Sequence, residues 1–285
     1  MGTDTRTRLR AVIVLSSHVV RGTVGNRAAV FALETLGFPV WAVPTVTLAW
    51  HPGHGPATRI VASPDQFAAL MADLERAPWL GEVGAVLTGY LGDAGQAGAI
   101  AGLIGAVRAR NPDALYVCDP VIGDAGGLYV PERTAIAIRD RLVAIADIAT
   151  PNRYELEWLA GRCLADLGEI AAAARGVGAR TMLVTSAPAM ADSSIGNLLV
   201  GEEEIVLAEH RTVVRPPNGL GDLTAAVYLA RVLGGSAPAQ ALQSTTATVY
   251  DILMRTAGRG GDELQLETDA RSLAHPSATV SLRHL

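Results

Sequence analysis

Short apolar runs alternate with longer amphipathic patterns along most of this 285-residue chain, and this alternation constrains the fold more than any other feature. Buried strands are predicted at 11–16, 39–45, 84–90, 114–120, 146–152 and 181–186. Helices are predicted between and after them, at 25–37, 63–77, 94–111, 131–143, 153–161 and 164–178. Strands that are separated by helices predict a parallel sheet with helices on both of its faces.

The pattern changes after Ser186. Antiparallel strands are predicted at 196–201, 203–210 and 211–217, and two long helices are predicted at 219–235 and 237–258. No repeat of fixed period and no linker-like stretch divides the chain. We therefore expect one α/β domain over residues 1–285, with three layers, a mostly parallel central sheet and a few antiparallel strands in the C-terminal half.

Composition and charge exclude several classes of protein. The formal net charge is −5 and no basic run of five or more residues occurs, so we do not expect a nucleic-acid partner. No apolar segment is long enough for a membrane span, and the N-terminal "MGTDTRTRLR" lacks the apolar block of a secretory signal. The two cysteines, Cys118 and Cys163, lie in different contexts, which favours a reducing cytoplasm over a disulfide scaffold.

Polar residues follow the predicted strands at the edge of the sheet where open parallel sheets bind their ligands. They are Ser16, Ser17, His18, Thr45, Thr88, Gly89, Tyr90, Asp119, Thr150, Asn152, Thr185 and Ser186. Turns need polar residues in any fold of this kind, so one such residue alone indicates little. A ring that includes Asp119, Asn152 and the nearby Glu155 favours a binding site.

The stretch "PPNGLGDLTAAVYLARVLGG" suggests how phosphates could be held in a chain that contains no lysine. Gly219, Leu220 and Gly221 stand at the start of a helical pattern, where free backbone N–H groups and the helix dipole form an anion site. Asp222 would stand beside that anion, where a general base for a hydroxyl nucleophile is needed. The alternative is an ordinary turn with an aspartate that stabilises its own helix.

Three further stretches carry weaker signals. In "CDPVIGDAGGLYVPE", the carboxylates of Asp119 and Asp124 are Mg²⁺ ligands by chemistry, although a turn rich in Asp and Gly is common. In "TPNRYELEWLAG", Asn152 and Glu155 fall within one helical turn, and Asn152 could be only a helix cap. His51, with His54 in "AWHPGHG", has the spacing of a metal pair but no evident third ligand.

Several segments in order along the chain resemble the pyridoxal kinases, within the ribokinase-like superfamily. These segments are "SHVVRGTVGNRAAVFALETLGF", "VLTGYLGD", "YVCDPVIGD", "LYVPE", "ADIATPNRYELEWLAG", "LVTS", "GLGDLTAA" and "DELQL". The resemblance covers nearly the whole chain, and "GLGD" resembles the GxGD catalytic motif of the superfamily. It implies a kinase that moves the γ-phosphoryl group of ATP to the 5′-hydroxymethyl group of a vitamin B6 compound.

The resemblance also implies a role for each matching position. Asp222 would be the base, and Gly219, Leu220 and Gly221 would form the anion hole. The B6 compound would contact Ser17, Val24, Thr45, His51, Tyr90 and Asp222. The nucleotide and its cation would lie near Asp119, Asp124, Tyr129, Thr150, Asn152, Glu155, Thr185, Ser186 and Gly221, with Mg²⁺ held by Asp119, Asp124 and Glu155 and with a flap over 124–130. The family implies ATP, Mg²⁺, a monovalent cation such as K⁺, and a homodimer.

The chain departs from the family in its short strand–turn–strand region at 196–215, which implies a shallow pocket for the nucleotide base, and at three further places. Leu220 stands where a Thr or Ser is usual, so only its backbone N–H could serve the anion hole. Trp50, His51 and Pro52 replace Asn-His-Thr, which bears on the choice among pyridoxal, pyridoxine and pyridoxamine. Ser186 and Ala187 stand where some members carry a Lys, so Mg²⁺ or an arginine would neutralise the nucleotide. Two other functions stay open: a hydroxymethylpyrimidine-type kinase of the same superfamily, and a catalytically silent vitamer-binding protein.

Overall fold

The alternation of strands and helices is present in the structure, a computed structural model that describes residues 10–285; the N-terminal segment 1–9 lies outside the described residues. The strands are β1 (Ala11–Val19), β2 (Val40–Leu48), β3 (Arg59–Ile60), β4 (Val83–Thr88), β5 (Leu115–Cys118), β6 (Gly123–Asp124), β7 (Gly127–Leu128), β8 (Ile148–Ala149), β9 (Thr181–Pro188), β10 (Ser194–Val200), β11 (Ile205–Arg211) and β12 (Ser281–His284). The helices are α1 (Asn26–Thr35), α2 (Pro64–Glu75), α3 (Gln96–Arg110), α4 (Glu132–Arg141), α5 (Arg153–Ala160), α6 (Leu167–Gly176), α7 (Leu220–Leu233), α8 (Pro238–Gly258) and α9 (Ala270–Ala274).

Ten of the strands form one sheet in the order β12-β11-β10-β9-β8-β5-β4-β1-β2-β3. The central pairs from β9 to β2 are parallel, whereas β10, β11 and β12 continue the sheet antiparallel at one edge and β3 pairs antiparallel at the other. The remaining two strands, β6 and β7, form a small hairpin of their own. The predicted α/β fold with a mostly parallel sheet is therefore confirmed.

Helices cover both faces of the sheet because successive side chains of a strand point to opposite sides. Ile13 and Leu15 of β1 belong to one buried apolar cluster, which α2 to α6 complete. Val12 and Val14 belong to a second cluster with α1, α7 and α8. All four of these β1 side chains are fully buried. A central strand without alternation in its sequence, "AVIVL", is what two covered faces require.

One predicted strand is wrong. Residues 211–217 leave the sheet after Arg211, since Pro216 and Pro217 have no N–H to donate to a ladder and Arg215 has a φ of +53°. Val214 is 83% exposed, so its side chain finds no core to join. The C-terminal strand β12 pairs with β11 instead, and its sequence gave no clear signal. Among the described residues, no helix has both the length and the apolar character that crossing a bilayer requires.

Two helices, α2 and α5, begin with side-chain caps, and the second of these was one interpretation of Asn152 in the sequence. The Ser63 hydroxyl oxygen accepts a hydrogen bond from the N–H of Gln66 at the start of α2, and Oε1 of Gln66 accepts one from the N–H of Ser63. Asn152 and Glu155 form the same reciprocal arrangement at the start of α5. Such capping boxes satisfy backbone donors that the first turn leaves free.

Candidate active site

A cavity of about 650 Å³ lies at the carboxyl ends of the parallel strands. Most of the predicted site residues line it, namely Ser17, Val24, His51, Tyr90, Asp119, Asp124, Tyr129, Thr150, Asn152, Glu155, Thr185, Ser186, Gly219, Gly221 and Asp222. They come from distant parts of the chain, and the sheet brings them together because every parallel strand ends at this edge.

Two predicted site residues do not line the cavity. Thr45 is fully buried below it, where its hydroxyl donates a hydrogen bond to the carbonyl of Tyr90 at 2.6 Å. Thr45 therefore holds the backbone of a lining residue. The side chain of Leu220 packs against the apolar cluster of α1, α7 and α8, because the first turn of α7 directs it into the core. In this structure the Thr45 side chain is therefore not placed to touch a ligand in the cavity, and Leu220 can serve the anion hole only through its backbone N–H, as the sequence predicts.

Five lining residues were not predicted as site residues: Leu48, Pro52, Gly53, Val121 and Asn218. Asn218 directly precedes the GLGD motif and could have been found from that position. Val121 has a φ of +45°, and the predicted Ser186 has a φ of +56°. Non-glycine residues in this region carry strain of about 1–3 kcal/mol and cluster at functional sites. No sequence signal marks Val121 for such a conformation.

The start of α7 presents free backbone donors to the cavity. Gly219 has a φ of +92°, and a Cβ atom there would lie 2.1 Å from the carbonyl oxygen of Thr23, so only glycine fits. A Cβ atom on Gly221 would meet nothing within 4 Å, which leaves open space above the first helical turn. Within residues 10–285, the N–H groups of Leu220 and Gly221 have no hydrogen-bond partner. Free donors at a helix N-terminus attract an anion.

Asp222 stands beside these donors. Burial raises the pKa of its carboxyl to about 6, although the backbone N–H groups of Gly25 and of Asp222 itself stabilise the charged form. Only glycine fits at position 25, because its φ is +56° and a Cβ atom there would lie 2.3 Å from the Ser17 carbonyl oxygen. A carboxylate with a pKa near 6 is mostly ionised at neutral pH and yet accepts a proton more readily than an ordinary aspartate.

Two more carboxyl groups lie deeper in the cavity. Asp119 is 6% exposed and accepts a hydrogen bond from the Thr150 hydroxyl at 2.9 Å. Burial, and then the charges of Glu155 and Asp222, raise the pKa of Asp119 well above its usual range. Burial also raises the pKa of Glu155 to about 7, against the opposing hydrogen bonds from the N–H groups of Asn152, Ile122 and Gly123. Buried, mutually repelling carboxyl groups are typical of sites that bind a cation.

The predicted Mg²⁺ ligands share the cavity but do not form a three-ligand cluster. No group of three or more His, Cys, Asp or Glu side chains among residues 10–285 is placed to hold a metal ion. Asp124 binds the N–H of Gly126 and the hydroxyl of Tyr129 within the β6–β7 hairpin, while Glu155 binds backbone N–H groups. A cation here would have to take further ligands from water or from phosphate oxygens, as Mg²⁺ usually does.

No arginine lines the cavity in the described part of the chain, which has no lysine either. The lining thus carries four carboxyl groups, Asp119, Asp124, Glu155 and Asp222, against the imidazole of His51. Burial lowers the pKa of His51, so its charged form is disfavoured. Of the two means of neutralising a nucleotide that the sequence left open, the geometry favours a metal ion over an arginine.

The two histidines of "AWHPGHG" do not form a metal pair. Their ring centroids are 6.4 Å apart and meet edge to face. His51 accepts a hydrogen bond from the N–H of Gly53, and the Nε2 atom of His54 lies 2.6 Å from Glu263. Both rings are thus tied to protein groups instead of a shared ion.

Comparisons with known proteins agree with this geometry. A family model described as phosphomethylpyrimidine kinase matches residues 62–265. The pyridoxal kinase of Rubrobacter xylanophilus is 38% identical over 281 residues, covering 96% of this chain and 97% of that protein. The pyridoxal kinase of Deinococcus radiodurans is also 38% identical over 281 residues, covering 93% of each chain.

Solved structures show the same fold. The pyridoxal kinase of Leishmania donovani in complex with ADP and pyridoxamine superposes with a TM-score of 0.91, at 28% identity, and the match covers 97% of this chain and 99% of that one. Its complex with ADP and pyridoxine gives a TM-score of 0.90. Because relatives that are 38% identical match almost its full length, the chain belongs to the pyridoxal kinase family.

Proposed function

We propose that this protein transfers the γ-phosphoryl group of ATP to the 5′-hydroxymethyl group of pyridoxal, pyridoxine or pyridoxamine, in vitamin B6 salvage. One observation carries the proposal. The Asp222 carboxylate and the free N–H groups at the start of α7 face one cavity that Ser17, His51 and Tyr90 also line. A base, an anion hole and a pocket for a small polar ring are what this transfer needs.

The chemistry follows from these positions. Asp222 accepts the proton of the substrate hydroxyl as the hydroxyl oxygen forms a bond to the γ-phosphorus. The bond from that phosphorus to the bridging oxygen breaks, and ADP leaves with the electron pair. The N–H groups of Leu220 and Gly221 face the charge on the transferring group, which is largest in the transition state. A leucine at position 220 is compatible with this role because only its backbone takes part.

We further propose that Mg²⁺ accompanies the nucleotide. Oxygen donors suit this ion, and the deeply buried Asp119, with Glu155 near it, offers them in a cavity that no arginine of residues 10–285 lines. Bound there, Mg²⁺ would neutralise negative charge on the phosphates. Thr150, Asn152, Thr185 and Ser186 follow β8 or lie in β9 and would contact the nucleotide. A monovalent cation such as K⁺ and a homodimer are proposed on the family resemblance, and a cytoplasmic location on the two free cysteines.

Hydroxymethylpyrimidine is a second candidate acceptor and should be tested in the same assay. The family model that covers residues 62–265 carries the description phosphomethylpyrimidine kinase, so hydroxymethylpyrimidine is the second candidate. The curated relatives at 35–38% identity are pyridoxal kinases, which favours the B6 compounds.

The test compares the three B6 compounds and hydroxymethylpyrimidine as acceptors with ATP and Mg²⁺, in the wild type and in Asp222→Asn. We expect the wild type to prefer a B6 compound, and the variant to lose kcat by about 10²–10⁴-fold because the base is removed. Asp93→Asn is the matched control, since Asp93 lies outside the cavity, and it should keep full activity.

Two results would contradict the proposal. Near-normal turnover of a folded Asp222→Asn variant would exclude Asp222 as the base. Tight binding of a B6 compound in calorimetry, without any phosphoryl transfer by the wild type, would identify a silent vitamer-binding protein instead.

A further inference from the structure

Glu263 lies outside the cavity, yet it contacts three chain segments that form the cavity rim. It belongs to the "DELQL" stretch between α8 and α9 and is only 8% exposed. The three segments are 22–24, 51–54 and 218–219, and each of them contributes lining residues. We call this arrangement the Glu263 hub.

The first segment follows β1. Oε2 of Glu263 accepts a hydrogen bond from the N–H of Thr23 at 3.1 Å, and the Thr23 hydroxyl donates to the carbonyl of Leu264 at 2.7 Å. The next residue, Val24, lines the cavity. Gly22 has a φ of +116°, and a Cβ atom there would lie 2.8 Å from Oε1 of Glu263. Glycine at position 22 is thus required for the carboxylate to come this close.

The second segment follows β2. Oε1 of Glu263 lies 2.6 Å from Nε2 of His54, whose side chain is 26% exposed. Because the carboxylate can only accept, Nε2 of His54 carries the hydrogen. His54 ends a short helical turn, Pro52–His54, and His51, Pro52 and Gly53 line the cavity. This contact therefore fixes the loop in which the chain departs from its family.

The third segment leads into α7. The backbone of Glu263 forms a parallel bridge with Asn218, directly before the GLGD motif. The carbonyl of Thr23, held by the hub, lies where a Cβ atom on Gly219 would be 2.1 Å away. Glu263 thus connects the acceptor-side loops, through its carboxylate, to the start of the helix that carries Asp222, through its backbone.

We propose that Glu263 is a positioning residue for the acceptor, which acts through Thr23 and His54 without touching the substrate. The inference rests on the proposed function and deepens it. Its contacts lie at the β1–β2 end of the site, whereas the proposed nucleotide residues follow β8 and lie in β9, several strands away in the sheet. Loss of the hub should loosen the acceptor pocket and leave the residues proposed to bind the nucleotide unchanged. Acceptor use should suffer, because the rate depends on how precisely the acceptor hydroxyl is positioned.

The kinetic test uses Glu263→Gln, which keeps the size of the side chain and removes its charge. We expect the KM for the preferred B6 compound to rise about tenfold, as for a lost buried hydrogen bond to a charged group, with the KM for ATP unchanged. Asp262→Asn is the matched control. Asp262 directly precedes Glu263, but its exposed carboxylate pairs with Arg21 at 2.8 Å and is not part of the hub. The control should therefore behave as wild type.

A double-mutant cycle combines Glu263→Gln with His54→Asn and tests the contact between the two side chains from both partners. If the two residues act through one contact, the double variant should have about the same acceptor KM as either single variant. Additive effects, or equal rises in the KM for acceptor and for ATP, would overturn the positioning role and leave a purely structural one.

Amide hydrogen exchange provides a readout that does not depend on activity. In Glu263→Gln, the amides of 22–24 and 51–55 should exchange faster, while those after β8 should not change. Unchanged exchange in both rim segments would overturn the hub. If exchange changes as expected but the wild type phosphorylates none of the acceptors, the proposed function fails and the hub stands.

Discussion

At the scale of single residues, Asp222 shows how burial changes an ordinary carboxyl group. The sequence places an acidic residue in the first turn of α7, where it could simply stabilise the helix dipole. The structure encloses it between the first turn of α7 and the turn at Gly25, and burial raises its pKa to about 6. That shift distinguishes a proton acceptor from a helix cap, because a cap gains nothing from a raised pKa.

The raised pKa predicts how activity depends on pH. Asp222 must be ionised to accept a proton, so kcat/KM for the acceptor should fall as pH drops through about 6, and by about tenfold per pH unit well below that value. The measurement is kcat/KM for the acceptor from about pH 5 to pH 8 at saturating ATP. A rate that stays constant down to about pH 5, as expected for an ordinary aspartate with a pKa near 4, would show that burial does not tune this group.

At the scale of elements, α5 joins a structural cap to the site. Asn152 accepts a hydrogen bond from the N–H of Glu155, and its Nδ2 donates to the carbonyl of Gly123 at 2.8 Å. Glu155 in turn accepts from the N–H of Ile122 at 2.7 Å. The capping box of this helix therefore fixes the base of the β6–β7 hairpin, which carries Asp124. A cap and a site residue are the same side chain here.

Asn152→Ala should therefore affect both stability and nucleotide use. Loss of the cap should cost about 1 kcal/mol of unfolding free energy, and the KM for ATP should rise because the hairpin loses its anchor. Ser63→Ala removes the equivalent cap of α2, outside the cavity, and should cost similar stability without a change in the KM for ATP. Denaturation measures the loss of unfolding free energy, and steady-state assays measure the KM for ATP. An equal change in the KM for ATP in the two variants would contradict this link.

At the scale of the whole molecule, the sheet edge gathers carboxyl groups at a cost in stability. Asp119 is almost fully buried, and both burial and the charges of Glu155 and Asp222 raise its pKa. A carboxyl group whose folded pKa lies above its unfolded value destabilises the protein at high pH, and this effect disappears as pH falls below the unfolded pKa. Sites that gather like charges commonly trade stability for function.

Asp119→Asn should accordingly stabilise the protein while it impairs the enzyme. The amide oxygen can still accept from Thr150, and removal of the buried charge should add about 1 kcal/mol, or about 2–4 °C in melting temperature, at pH 8. The gain should shrink as pH falls, because the raised pKa of Asp119 lets the wild-type carboxyl take up a proton and lose its buried charge. Asp113→Asn, at an exposed site, is the control for thermal denaturation, and a lower melting temperature of Asp119→Asn would refute the argument.

Local sequence patterns predicted most of the strands and helices and most of the residues that line the cavity. Apolar runs such as "AVIVL" predict buried strands by their pattern alone. The GLGD motif predicts a tight turn into a helix, because glycine readily adopts the positive φ that Gly219 has. The antiparallel strand predicted at 211–217 was wrong, since two prolines and an exposed Val214 outweigh a local run of β-branched residues. Positions such as Val121 carry no local signal at all.

The sequence by itself determined which residues could form strands, turns and an anion-binding helix start, because those preferences depend on neighbours in the chain. Only the tertiary structure decided that Thr45 supports Tyr90 from below, that the three predicted metal ligands do not cluster, and that Glu263 reaches the rim from 240 positions beyond Thr23. Burial, charge proximity and pKa depend on groups that are distant in sequence, and folding alone brings those groups together.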